Sequence, residues 1–269
     1  MGFVSVSTAA RAVGQVARPR LPSAAVVYLV LGVIAAIGLA SFQDPLTASQ
    51  WTPLFPLVGS LGILVGALRH QPVKIGAWLS IALGLFLFWI GNAASAGESM
   101  AGAEAVRPAD LAYAAGYPLL LSGAFRLVRG SRGRDWTDYA DGASIGLAGA
   151  ILLWIVLIDP VGRMHQLPDV AQAVILADVA IVAMLLPLPI VRETRSPSSI
   201  FLVVGFALLA TADARYALLV YGNGQTVPMI VDTLGGISWL TGFVLLGAAA
   251  LHPSSGTPRL ADRASDEPS

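Results

Sequence analysis

The chain has no cysteine and a single lysine, Lys74, among its 269 residues. Without thiols there is no disulfide framework, no thiolate metal site and no cysteine nucleophile. Its three histidines, His70, His165 and His252, stand far apart, whereas a zinc site needs close spacing. Charge is scarce as well: 12% of residues are charged, against about 25% in an ordinary soluble domain. No Ser and His pairing points to hydrolysis. Gly222-Asn223-Gly224 is a turn, with no following Gly-Lys-Ser/Thr to cradle a phosphate. A retinal Schiff base needs an intramembrane lysine, and Lys74 falls at the edge of an apolar run. These absences give a non-enzymatic reading, with no metal, no cofactor and no nucleic-acid partner.

Apolar length is what the chain has instead. Hydrophobic residues make up 56% of it, and mean hydropathy is +0.74. Runs near the ~20 residues that cross a bilayer occupy 24–41, 53–68, 74–94, 108–128, 138–158, 169–191, 200–221 and 228–251. The second is the weakest, being short and carrying Pro53 and Pro56. The first is read as an uncleaved helix, because about two dozen residues with Arg11, Arg18 and Arg20 precede it. The expectation is an all-α, polytopic transmembrane bundle of about eight spans over 24–251. Residues 1–23 form a cytoplasmic N-terminal segment and 252–269 a disordered cytoplasmic tail.

Orientation follows from the loops. With the N-terminus inside, thirteen of the 16 lysines and arginines fall in inner segments. Arg107 and Arg163 are the outer exceptions, and Arg215 is intramembrane. The positive-inside rule therefore places both termini in the cytoplasm. Gly62…Gly66 and Gly142…Gly146 are GxxxG patterns that let helices approach. Asp138 and Asp141 read as a cap and surface pairing beside Arg132 and Arg134.

Four aspartates interrupt the apolar runs: Asp110, Asp178, Asp213 and Asp232. A charge at a helix centre costs about 2.5–3.5 kcal/mol on insertion scales, so it is kept for a partner or a use. At 1.5 Å per residue, Asp110 lies roughly 3 Å inside the outer end and Asp232 roughly 6 Å. Arg215 lies near ~9 Å, Asp213 near ~12 Å and Asp178 near ~13 Å by the same count. All converge on the outer half, where Tyr113, Tyr117 and Tyr216 also lie. Asp110/Tyr113 and Asp213/Tyr216 are i,i+3 pairs that share a helix face. Together these eight residues are a candidate ligand pocket opening outward.

Ordinary roles compete with that reading. Asp110 and Asp232 sit in first turns, where a carboxylate suits the helix dipole. Asp213 with Arg215 reads equally as a buried ion pair or an interhelical anchor. The two residues do not face each other, so Arg215 is expected to reach Asp178 or Asp232. The tyrosines double as interfacial anchors.

Three segments carry a resemblance: Arg107-Pro108-Ala109-Asp110-Leu111-Ala112-Tyr113-Ala114-Ala115-Gly116-Tyr117-Pro118, Ala212-Asp213-Ala214-Arg215-Tyr216-Ala217 and Ala249-Ala250-Leu251-His252-Pro253-Ser254. Over about 50–254 the chain resembles the membrane-embedded N-terminal input region of actinobacterial GGDEF and GGDEF–EAL (cyclic-di-GMP signalling) proteins. The resemblance implies sensing at a bacterial plasma membrane, passed to a cytoplasmic output. That output domain has no counterpart in these residues, so its enzyme activity does not carry over. Asn92 stands where that family often has an acidic residue.

The favoured expectation is a sensor that binds a small polar or cationic ligand, or protons, and signals to a cytoplasmic partner or through a homo-oligomer. The alternative is a small transporter or channel that uses the same carboxylates as a cation or proton relay. Polar groups thin towards the inner half, which favours the sensor.

Overall fold

The computed structural model describes residues 23–41, 51–97, 108–129, 169–190, 194–221 and 229–256, with isolated positions 144, 148, 151 and 155. The expected span at 138–158, Asp138, Asp141 and the Gly142…Gly146 pattern lie outside these, those isolated positions apart. So do 1–22 and 257–269. Among the described residues the structure is helical, with no strand.

The helices are α1 (Ala24–Ser41), α2 (Leu54–His70), α3 (Ile75–Gly97), α4 (Pro108–Val128), α5 (Asp169–Leu185), α6 (Pro187–Ile190), α7 (Pro197–Tyr221) and α8 (Met229–Leu251), followed by a 3-10 turn at Pro253–Ser255. Among the described residues, six helical stretches are long and apolar enough to cross a membrane. The expected second span is not one of them. Its helix has 17 residues, or about 25 Å, because Pro53 precedes the helix and the chain turns at Gln71. Gln71 takes φ 43°, and its N–H closes on Ala67 O.

Proline and serine mark several of these helices. Pro56 sits in the first turn of α2, where its missing N–H costs nothing. Pro118 lies inside α4 and removes one rung of the ladder beside Tyr117, which membrane helices tolerate. The Ser196-Pro197-Ser198-Ser199 stretch opens α7 with a reciprocal cap. Ser199 N–H donates to Ser196 Oγ at 3.1 Å, and Ser196 N–H donates to Ser199 Oγ at 2.9 Å.

Six helices close a ring in the order α2, α3, α4, α5, α7, α8 and back to α2, with α1 outside against α8. All six ring helices feed one apolar core, including Ile63, Ile81, Leu120, Ile181, Phe206 and Phe243. Large apolar side chains also face outward, as along Leu79, Leu83, Phe86 and Ile90 of α3. That inversion suits lipid as the surrounding solvent.

Close approach sets the helix directions. A Cβ on Gly62 would stand 3.0 Å from Gly247 Cα, and one on Gly66 would run into the backbone of Ala250 and Leu251. Gly59 meets Phe243 in the same register, so α2 and α8 run parallel. The GxxxG expectation at Gly62 and Gly66 is met here as a backbone-to-backbone seam. By contrast, Gly84 faces Leu120 while Gly91 faces Tyr113, so α3 and α4 run antiparallel. Gly205 facing Leu246 and Gly235 facing Arg215 make α7 and α8 antiparallel as well.

The bundle therefore has two unlike ends. One carries Arg69, His70, Lys74, Arg126, Arg129, Arg195 and His252. There Lys74 Nζ donates to Leu127 O at 2.5 Å and His70 Nε2 lies 3.0 Å from Leu251 O. The aspartate-bearing segments lie towards the other end.

Candidate functional site

Three helices bring one polar cluster into this apolar bundle. Asp178 of α5 is 5% exposed, and Tyr117 of α4 is 8% exposed. The Tyr117 hydroxyl lies 3.3 Å from Asp178 Oδ2 and 3.4 Å from Asp213 Oδ2 on α7. Both distances exceed the ~2.7–2.8 Å usual for a hydroxyl donor. One O–H proton thus sits between two acceptors. Two carboxylates gathered around one hydroxyl repel each other when both are charged, so the cluster is a place where a proton or a cation belongs.

The α3–α4 contact explains why Tyr117 points inward. Gly116 has no side chain, and a Cβ there would come within 2.7 Å of the Phe88 ring. Phe88 fills that space and meets Tyr117 edge-on, with centroids 5.0 Å apart and planes at 62°. On its other side Phe88 meets Tyr113 at 5.4 Å and 74°. Tyr113 lies over Gly91 of α3. Asn92 bonds back to Phe88 O of its own helix at 2.8 Å.

Asp213 and Arg215 are two residues apart, or about 200° around α7. Asp213 faces Tyr117 and Asp178, whereas the Arg215 side chain lies across Gly235 of α8. The structure thus pairs Asp178 with Tyr117 and Asp213. Arg215 lies instead on α8, one turn from Asp232 in sequence. Glycine at 235 makes that approach possible.

The remaining candidates divide. Asp110 is half-buried in the first turn of α4, seven residues before Tyr117 and so about 10 Å from it along the axis. Tyr216 is 62% exposed and lies outside the buried part of the cluster. Asp232 lies in the first turn of α8, and its side chain is outside the described set. Tyr117, Asp178 and Asp213 are brought together, with Tyr113 beside them.

Sequence reasoning missed a second joint, at the basic end. His252 caps the 3-10 turn, its Nδ1 accepting from Ser254 N–H at 3.1 Å. Ser198 donates its hydroxyl to Ala249 O at 2.6 Å and its N–H to Ser254 Oγ at 3.2 Å. Partial burial, and then the nearby His70, hold the His252 imidazole below its usual pKa range. This turn, with its caps His252 and Gly256, occupies the start of the segment expected as tail. The signal available was the Ser-Pro-Ser-Ser and His-Pro-Ser-Ser spelling on either side of the joint.

Among known proteins, no family model, no curated protein and no solved structure matches the chain.

Proposed function

We propose that the chain is a non-enzymatic membrane sensor, in which Tyr117, Asp178 and Asp213 take up a proton or a small cation from the outer side. The observation that carries this reading is the Tyr117 hydroxyl shared by two carboxylates from two other helices. Occupancy changes the charge between α4, α5 and α7. A repacking of those helices relieves the change, because a charge among apolar helices is costly. The moving ends then reach the basic face, where a cytoplasmic partner or a second copy would read them.

The relay reading has less support. From Tyr117 to Leu127, about 15 Å along α4, the buried side chains are Leu120, Ala124 and Leu127. The same core holds Ile181, Val182, Leu185, Leu202, Phe206 and Leu209. An apolar plug of that thickness suits a sensor better than a conduction path.

Eight spans with both termini in the cytoplasm remain the finer proposal. Leu127 of α4 and Leu188 of α6 line one cleft at the basic end. Both α4 and α5 therefore start at the opposite end, and one further crossing between them accounts for the return. Positions 144, 148, 151 and 155 are exposed with i, i+4, i+7, i+11 spacing, as a lipid-facing helix would be. The basic end collects arginine and lysine, which supports its being cytoplasmic. A bacterial plasma membrane and a cyclic-di-GMP output rest on the sequence resemblance alone.

Thermal-shift titration of the detergent-solubilised full chain with protons and small cations tests the site. Wild type should show a saturable shift that Asp178→Asn and Asp213→Asn lack; an identical response in all three would refute the site.

A further inference from the structure

The basic end holds a cleft of about 220 Å³ that the sensing site does not use. Its apolar floor is Trp78, Leu127, Leu188 and Leu202, and its rim includes Lys74, Ser196, Ser199, Ser254 and Ser255. Among the described residues that line it there is no aspartate or glutamate. We propose that this cleft binds the phosphate headgroup of an anionic phospholipid from the inner leaflet.

Position and size both favour a lipid. Lys74 Nζ is fixed by its bond to Leu127 O, which holds the ammonium at the cleft instead of leaving it to swing in solvent. The ammonium offers a phosphate its positive charge as well as N–H donors. Ligand pockets for drug-sized molecules run from about 300 to 1,000 Å³, so this cleft is too small for a whole nucleotide and suits a headgroup. Beside Lys74 stands Val73, an apolar side chain that is 81% exposed at the rim. A valine so exposed is poorly placed against water and well placed against the glycerol and upper acyl region. Basic pockets between helices at a cytoplasmic interface recognise lipid headgroups by this combination of cation and apolar wall.

The inference rests on the membrane orientation proposed above but not on the aspartate cluster, so the two stand or fall separately. Native mass spectrometry of the full chain, released from micelles containing phosphatidylglycerol and phosphatidylcholine, is the test. Phosphatidylglycerol should be retained in preference, and Lys74→Gln should weaken it about fivefold. Lys74→Arg should keep most of the preference. Val73→Asp perturbs no buried contact and should abolish the preference by placing a carboxylate at the rim. Asp213→Asn should leave it unchanged. Equal retention of the two lipids, or a preference that survives both Lys74→Gln and Val73→Asp, overturns the proposal. Displacement of the bound lipid by glycerol phosphate assigns the cleft to a soluble phosphate ester and also overturns it.

Discussion

The Tyr117 hydroxyl stands 3.3 Å from Asp178 Oδ2, joining two helices that are 61 residues apart in sequence at these positions. It lies 3.4 Å from Asp213 Oδ2 as well, so one proton donor ties α4 to both α5 and α7. Interhelical hydrogen bonds of this sort contribute about 0.6–2 kcal/mol in membranes. Tyr117→Phe should destabilise the bundle by about that amount in SDS-titration unfolding. A double-mutant cycle with Asp178→Asn should show coupling; strict additivity would mean the contact contributes nothing.

The α2–α8 seam predicts a contrast between two glycines. Gly66→Val puts carbon where the Ala250 carbonyl lies, and overpacking of that kind costs about 1–3 kcal/mol or more. Gly38 of α1 has nothing within 4 Å of a built Cβ, so Gly38→Ala should be neutral or mildly stabilising. Unfolding midpoints of the two variants check this, and an equal loss in both would contradict the seam.

Arg215 rests on α8 only because residue 235 lacks a side chain. Gly235→Ala should push the guanidinium off α8 and reproduce the effect of Arg215→Gln on proton or cation response. The comparison is by thermal-shift titration. A wild-type response in Gly235→Ala beside a lost response in Arg215→Gln would show that the charge matters and its seat does not.

At the basic end, His252 Nδ1 accepts a hydrogen bond and must be unprotonated to do so. Its folded pKa lies below the ordinary value, so its contribution is present above about pH 6.5 and is lost as pH falls through that value toward the folded pKa. Hydrogen exchange at 252–256 should accelerate below about pH 6.5. His252→Asn, which caps without titrating, should flatten that dependence. Unchanged acceleration in His252→Asn would place the proton elsewhere.

Much of this was readable from the chain, for a physical reason. Apolar length marks membrane helices independently of their neighbours, so α1, α3, α4, α7 and α8 fall close to the expected runs. Depth is also a one-dimensional property, and counting 1.5 Å per residue put Asp178 and Asp213 at matching heights. Azimuth is different, because it depends on which helices become neighbours. Arg215 was therefore expected near Asp178 or Asp232 without a choice between them, and Tyr216, which is exposed, was left between a pocket residue and an interfacial anchor. Nor does hydropathy reveal the ring order or the joint of Ser198 with Ser254, since both depend on partners far away in sequence.

The account's central claim is that events at the Asp178–Tyr117–Asp213 cluster move the basic ends of the helices without conducting ions. Because the chain has no cysteine, two introduced cysteines are its only labelling sites. Spin labels at Arg129 and Arg195, at the ends of α4 and α7, should report the movement in proteoliposomes by pulsed electron resonance. On an outer pH step the wild-type distance distribution should shift, the Asp178→Asn, Asp213→Asn chain should stay still, and neither should pass protons or cations. Proton or cation flux in the wild type that Asp213→Asn abolishes, with label distances unchanged, would contradict the claim.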